Sequence, residues 1–546
     1  MTSQPAMCCV DCQKLHPPRA ALLPSPFQSF ITDERLPTPS EKAAIRDFVQ
    51  NTDAEIEWRE RTVDRLLCEL AELRRRSEHH KAIIAPIRRV PPEIMAEIFL
   101  QLTATEARAT IDSGLYESYP YDDFDVDNLL GQNDKVRPVI HTAPLIFGEI
   151  SRHWRAIALS TPRLWNSIFL NCKDDKVRDN IALCDTWLKR SGSLPLSIRF
   201  RRPYHSTGGP APRAFHEWQD LIMTILPYAR RWRLLDLDDV PLASSDVFCG
   251  LSDSLPVLEA LSIDCGSAVK LSSGLCARLR SAPKLRLFHF TSIGTSVNEW
   301  QTLPWSQLTH IDVGGCSAYD CLYILSVAAT AVACRFSIER DSTSEHPPVS
   351  HSALQTLKIY GYRILELIWN NLTCPRLSTL EIETGSSFHD IPSFLARSGA
   401  VIQNFALSGC NMDDTRFTAC LRTMPGLRRL NISEDGACAQ FTDLVWESLT
   451  WTADSPPLLP NLESLRLVGG YGFSHKAAVR MLESRAQSRA GFVPKLKTIT
   501  LSIWRKMSGS ACRRLTALTK FGLHIDLDTM FEEDDESGSE ASDAEN

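Results

Sequence analysis

Residues 377–383 read Leu377-Ser378-Thr379-Leu380-Glu381-Ile382-Glu383, residues 402–408 read Ile402-Gln403-Asn404-Phe405-Ala406-Leu407-Ser408, and residues 427–433 read Leu427-Arg428-Arg429-Leu430-Asn431-Ile432-Ser433. Each stretch is apolar at its first, fourth and sixth places, and the last four places alternate as a half-buried strand does. The same frame recurs at Trp232/Leu235/Leu237, Leu258/Leu261/Ile263, Leu285/Phe288/Phe290, Leu308/Ile311/Val313, Leu354/Leu357/Ile359, Leu462/Leu465/Leu467 and Leu496/Ile499/Leu501. From Trp232 onward the steps are 26, 27, 23, 46, 23, 25, 25, 35 and 34 residues, and a degenerate unit, Ala333/Phe336/Ile338, fits inside the gap of 46. One strand with its connection cannot bury its own apolar side; a stack of them can.

Most of these steps fall within the roughly 20–29 residues of a leucine-rich repeat, and from about residue 194 to 528 the chain resembles that family. The resemblance implies an α/β solenoid, irregular in its repeats, whose parallel sheet lines the concave side of a curved array. Cys316 and Cys410 stand three places after the last apolar strand residue, where the family fills its turn with Asn or Cys. The two long steps leave room for full helices, such as one over 476–486. Upstream, a helix over 177–190 leads to Leu194, Leu196, Ile198 and Phe200, another alternating strand. The residues between the inward ones include Asp236, Asp264, His310, Asp312, Lys358, Tyr360, Glu381, Glu383, Arg429 and Arg466. They are the candidate contacts to a protein target; any single one serves equally to keep the sheet soluble.

Ahead of the repeats, Val90-Pro91-Pro92-Glu93-Ile94 opens a segment that continues through Ile98, Phe99 and Leu102. Proline suits a helix's first turn and Glu93 its positive end, so a helix is predicted here. The pattern lapses over an insertion at 103–143, containing Asp122-Asp123-Phe124-Asp125-Val126-Asp127, and returns as Ile146, Ile150, Trp154 and Ile157, read as one helix ending at Ser160-Thr161-Pro162. Ser151-Arg152-His153-Trp154-Arg155 and Thr161-Pro162-Arg163-Leu164-Trp165 complete an ordered set that resembles the F-box family, in the layout of the large F-box families of mushroom-forming fungi. Departures are Val90 in place of Leu, Ser151 to His153 before Trp154, and the insertion. The resemblance implies a small all-α module docking on a Skp-type adaptor and through it on a cullin. Its adaptor-binding residues would be Pro91, Pro92, Glu93, Ile94, Ile98, Phe99, Leu102, Ile150, Trp154, Leu164 and Trp165.

Further upstream, Thr38-Pro39-Ser40-Glu41 is a helix start, and Ile45, Val49, Thr52, Ile56, Arg59, Val63, Leu66, Leu70 and Leu73 step by fours and threes. This coiled-coil-like seam, weakened by Thr52 and Arg59, suits either self-association through residues 45–73 or folding back on the same chain. The domain plan is thus a disordered Pro-rich arm at 1–40, the coiled-coil-like helix at 41–82, the F-box at 86–170, a linking helix and solenoid at 171–528, and an acidic disordered tail at 529–546.

The chain has 546 residues, 43% apolar and 23% charged, the proportions of a protein able to bury a large core. Its formal charge is -7, but residues 532–546 carry eight acids and no Lys or Arg, so the rest is nearly balanced and no nucleic-acid partner is expected. The longest uncharged apolar run, 321–334, is 14 residues, short of the roughly 20 that cross a bilayer, and reads as buried core; no membrane partner is expected. Seventeen scattered Cys fit a reducing cytoplasmic or nuclear location, which makes the Asn-x-Ser/Thr matches at Asn371 and Asn431 accidental.

No Gly-x-Ser-x-Gly elbow, His-Glu-x-x-His pair or phosphate loop occurs, so the expectation is a non-enzyme without cofactor or metal. Cys9, Cys12 and His16, with Cys8, have zinc-ligand chemistry but no evident fourth-ligand cluster, and are read as thiols in the arm. Arg199, Arg201, Arg202 and Arg213, near Gly208-Gly209-Pro210, are read as a solvated loop. Ser537 and Ser542, each three places before an acid, suit acid-directed kinases. The expected function is that of a substrate receptor in a Skp–cullin–F-box ubiquitin ligase, with a leucine-rich-repeat scaffold lacking any ligase link as the rival.

Overall fold

The structure is a computed structural model that describes residues 7–8, 15–16, 25–32, 36–112, 144–171, 176–202, 212–241, 245–251, 254–264, 273–291, 301–340, 345–361, 365–383, 390–409, 414–433, 442–452, 458–469, 473–486, 495–503 and 509–529. Two compact units divide it, Met1–Pro91 and Pro92–Asn546.

In the first unit two short strands, β1 (Met7–Cys8) and β2 (Leu15–His16), pair antiparallel. Helix α1 (Gln28–Thr32) follows inside the arm expected to lack structure, beside Phe27, whose ring meets Phe48 edge-on at 5.7 Å. Helix α2 (Pro39–Ile84) runs 46 residues. It begins on a reciprocal cap in which the Thr38 hydroxyl accepts from the Glu41 amide and the Glu41 carboxylate accepts from the Thr38 amide, satisfying two otherwise orphaned donors. No α2 residue is buried, and Val49, Ile56, Val63, Leu66, Leu70 and Leu73 of its seam are exposed. Within the seam, Thr52 bonds back to the Phe48 carbonyl and Arg59 pairs with Glu55.

The second unit opens with α3 (Pro92–Asp112), which carries helix ten residues into the segment read as an insertion; residues 113–143 lie outside the described ones. The stretch from Ile146 to Ile157, expected as one helix, is two: α4 (Leu145–Ile150) and α5 (Arg152–Leu159). Ser151 takes an extended backbone, φ −159° and ψ 160°, and its hydroxyl accepts from the Trp154 amide as the cap of α5. The four-residue spacing of Ile150 and Trp154 continues across the break, so periodicity alone could not reveal it.

From there the unit is an α/β repeat. Strands β3 (Ser167–Asn171), β4 (Leu196–Arg201), β5 (Trp232–Asp238), β6 (Ala260–Asp264), β7 (Leu287–Thr291), β8 (His310–Ser317) and β9 (Ala333–Arg340) are followed by β11 (Thr356–Tyr360), β13 (Thr379–Glu383), β14 (Asn404–Ser408), β15 (Arg429–Ser433), β16 (Ser464–Gly469), β17 (Thr498–Ile503) and β18 (His524–Thr529). They form one parallel sheet of 14 strands, each beside its neighbour in sequence order. A separate small pair, β10 (Val349–Ser350) with β12 (Leu372–Thr373), is also parallel. Parallel neighbours need a crossover of a dozen or more residues, which the repeat step supplies. The degenerate unit is β9, seated in register between β8 and β11. The sheet extends past both expected ends: β3 starts inside the span assigned to the helical module, and β18 reaches Thr529 in the span assigned to the tail.

Alternation sorts the side chains. Leu380 and Ile382 of β13, Phe405 and Leu407 of β14, and Leu430 and Ile432 of β15 are buried, and register aligns them strand to strand as continuous apolar rows. Truncating one of them would cost about 2–5 kcal/mol. The run at 321–334 is core as expected: Cys321, Leu322, Ile324 and Leu325 are buried on the helix Ala318–Val327 and Cys334 on β9. Cys316, expected in a turn, lies instead within β8, opposite Ile338 of β9 past a register shift, buried and with its thiol 3.4 Å from the Ser337 carbonyl; Cys410 lies outside the described residues. On the opposite side of the sheet Leu234, Ala260 and Leu287, adjacent in register, are also buried, so β5 to β7 are apolar on both sides there. Among the described residues no helix is long and apolar enough to cross a membrane.

Candidate functional site

Two surfaces of the second unit hold the expected site residues. The first is the helical module. Phe99 stacks on Phe147 of α4 with centroids 4.0 Å apart and planes 6° apart, and Trp154 of α5 closes the cluster 5.0 Å from Phe99. Met95, Phe99 and Thr103 occupy the buried face of α3. Ile94, Ile98 and Leu102 form the adjoining flank of the helix and stay 55%, 39% and 46% exposed; Ile146 and Ile150 of α4 are exposed as well. Three branched apolar residues at four-residue steps thus stay uncovered beside a packed aromatic core.

Three residues expected at the adaptor face are not accessible there. Phe99, Leu164 and Trp165 are 0%, 2% and 1% exposed. The Trp165 indole N–H donates to the Ala158 carbonyl at 2.8 Å, its ring meets Trp187 of helix α6 (Val177–Arg190) edge-on at 4.9 Å, and the Arg190 guanidinium lies 4.5 Å from its centre. It therefore ties the helical module to the first repeat, an aromatic anchor of the fold. Trp154 is half-buried, and Pro91, Pro92 and Glu93 are exposed.

The second surface is the face of the sheet opposite the apolar rows. All ten expected target contacts lie on its strands, but they differ in availability. Arg429 and Arg466 are exposed; Asp236, Asp264, His310, Tyr360, Glu381 and Glu383 are half-buried; Asp312 and Lys358 are buried at 4% and 2% exposure. Asp312 accepts from His289 Nδ1 at 2.6 Å and from Arg335 Nε at 2.7 Å. Lys358 Nζ stands 3.0 Å from Glu381, which also accepts from the Tyr360 hydroxyl at 2.9 Å. Both were expected to meet a target; lateral neighbours consume them instead. Sequence reading overlooked His289 and Arg335, although each lies 23 residues from Asp312, one repeat step, which is the signal that would have found them.

Arg201 pairs with Asp238, and Arg202 with Asp239 at 3.1 Å, so these arginines brace β4 against β5 and do not sit in a solvated loop. Burial, with Asp236 and Asp264 nearby, lifts Asp238 to about 6 despite Arg201. Burial acts against the charged forms of both Asp312 and His289, but their mutual attraction, with Arg335 added for Asp312, outweighs it: Asp312 is lowered to about 2 and His289 is raised. Thr291 Oγ1 is 3.3 Å from His289 Nε2, giving a hydroxyl, an imidazole and a carboxylate in line. Asp312, His289 and Arg335 form an ion-paired brace across three strands.

Beside it lies a concavity of about 410 Å³ whose lining includes Lys358, Glu381, Asn404, Ala406, Arg429 and Asn431. Ala406 supplies the gap, being the small member of a row in which Glu381 and Asn431 flank it in register. His310, at its edge, is lowered by burial. No group of three or more His, Cys, Asp or Glu that could hold a metal is found among the described residues, and Cys9 and Cys12 lie outside them. No protein-family model matches the chain, and no curated protein matches it in sequence.

Proposed function

We propose that the chain is the substrate-receptor subunit of a Skp–cullin–F-box ubiquitin ligase, with α3 to α5 acting as the F-box and the sheet-bearing repeats as an irregular leucine-rich-repeat solenoid that holds a protein target. The observation that carries this reading is the uncovered row Ile94, Ile98 and Leu102 above a closed Phe99, Phe147 and Trp154 core. It is apolar, as an interface centre is, with the exposed Glu97–Arg163 ion pair near it as a polar rim, and it lies on the segment whose motifs resemble the F-box. The receptor itself breaks and makes no bond; it raises the target's local concentration beside a ubiquitin-conjugating enzyme. The exposed seam of α2 supports a coiled-coil contact with a second copy.

The test is capture of a Skp-type adaptor by the purified chain. Changing Ile94 and Ile98 together to Asp removes two interface anchors, each worth about 2 kcal/mol or more, and is expected to lower adaptor affinity by at least about thirtyfold. Both positions are exposed, so the melting temperature should hold, which separates lost docking from unfolding. A well-folded wild-type chain that captures no adaptor at micromolar concentration overturns the ligase reading in favour of a scaffold with no ligase link.

A further inference from the structure

The four strands β14 to β17 contain no acidic residue, and Arg429 and Arg466 are exposed on their outward side. The neighbouring outward positions are Asn404, Ala406, Asn431, Ser464 and Thr500. Among the described residues neither guanidinium makes an ion pair. Glu463, three residues before Arg466, is engaged by Lys497 at 2.8 Å and Arg428 at 3.5 Å and also feels the charge of Arg429. Elsewhere on this face cations are matched: Lys358 to Glu381, Arg335 to Asp312, Arg201 to Asp238. Among the described residues the sheet therefore leaves a local excess of positive charge at one place.

The geometry there is regular. Asn431 is the register partner of Arg466, and Arg429 sits two residues before Asn431 on the same strand, so the two arginines are diagonal neighbours, about 7–8 Å apart at Cβ. In an extended peptide, side chains two residues apart lie on one side and are separated by roughly 6.6 Å. A Glu-x-Glu or Asp-x-Asp segment thus presents its carboxylates at nearly the spacing of the two guanidiniums. Asn431 is the neighbour of both, beside Arg466 in register and two residues from Arg429 on the same strand. The concavity floored by Ala406 adjoins the same residues and gives a flanking side chain space.

We propose that β14 to β16 form a docking site for an extended acidic segment of the target protein, with Arg429 and Arg466 each receiving one of two alternating carboxylates. The inference rests on the receptor reading only for the word target; the site needs no adaptor.

The experiment is fluorescence anisotropy on the full-length chain with a labelled dodecapeptide alternating Glu and Ser, against the same peptide with Gln for Glu. The Glu peptide should bind at least tenfold more tightly, and its affinity should fall when salt is raised from about 50 to 200 mM, where charges are screened over shorter distances. Arg429→Ser with Arg466→Ser should remove at least tenfold of that affinity with unchanged melting, and Arg429→Glu with Arg466→Glu should reverse the preference toward a Lys and Ser peptide. Equal binding of the Glu and Gln peptides, or equal binding by wild type and the double Ser variant, overturns the proposal. Binding that emerges only when residues 530–546 are removed also overturns it, in favour of the chain's own acidic tail as occupant. Adaptor capture by the double Ser variant is read in parallel: its absence in wild type as well would sink the ligase reading while leaving the acidic-segment site standing.

Discussion

The stretch of sheet from β7 to β13 and the stretch from β14 to β17 share one backbone plan yet treat charge in opposite ways. In the first, Asp312 joins His289 and Arg335 across three strands, and Glu381 joins Lys358 and Tyr360 across two. In the second, Arg429 and Arg466 stand exposed among amides and hydroxyls, and a buried Asn431 oxygen lacks a partner. The difference separates charges that hold a sheet from charges open to something else. A buried ion network contributes little net stability when intact but a large loss when one member is removed, whereas an exposed, unpaired arginine can be removed at little cost.

The sharpest way to break this contrast is Asp312→Ala. It leaves the Arg335 and His289 cations without their shared carboxylate, and stability in a urea titration should fall by about 3–5 kcal/mol. A loss below about 1 kcal/mol would mean that the brace is not structural.

The pH dependence of the same brace comes next in size. Asp312 is lowered from its ordinary 3.8 to about 2, so its contribution is complete above 3.8 and is lost as pH falls toward 2. His289 is raised above its ordinary 6.5, so its contribution is complete below 6.5 and is lost as pH rises through the higher folded value. The stability gap between wild type and Asp312→Asn should therefore be widest between pH 3.8 and 6.5 and narrow on both sides. A gap that does not change with pH would remove the charged pair from the explanation.

The smallest expected effect is Arg429→Ser with Arg466→Ser. Melting and urea midpoints should place this variant within about 0.5 kcal/mol of wild type. A loss comparable to that of Asp312→Ala would show the two arginines to be braces as well and erase the distinction between the halves.

Much of the fold was legible in advance, and in places the frame read better than the residues did. Ala333/Phe336/Ile338 is a poor match to the pattern, yet the spacing required a strand there and β9 occupies it. The break at Ser151 was not legible, since a cap and its neighbours can keep a four-residue rhythm while the backbone leaves the helix. Of the candidate sites, Ile94, Ile98 and Leu102 stand exposed, while Phe99, Leu164 and Trp165 carry the same motif resemblance but lie inside. Motif position alone does not distinguish a residue that makes a surface from one that supports it.

The sequence by itself determined that strands recur, which of their residues face inward, and that a separate helical segment precedes them, because period and alternation are local properties of the chain. Only the tertiary structure decided which outward charges cancel. The partners of Asp312 lie 23 residues away on either side, and the sheet register sets their approach to within hydrogen-bonding distance. The same lateral packing buries Lys358 beside Glu381 and leaves Arg429 and Arg466 beside strands that hold no acid, so that residues alike in sequence differ in what they are free to bind.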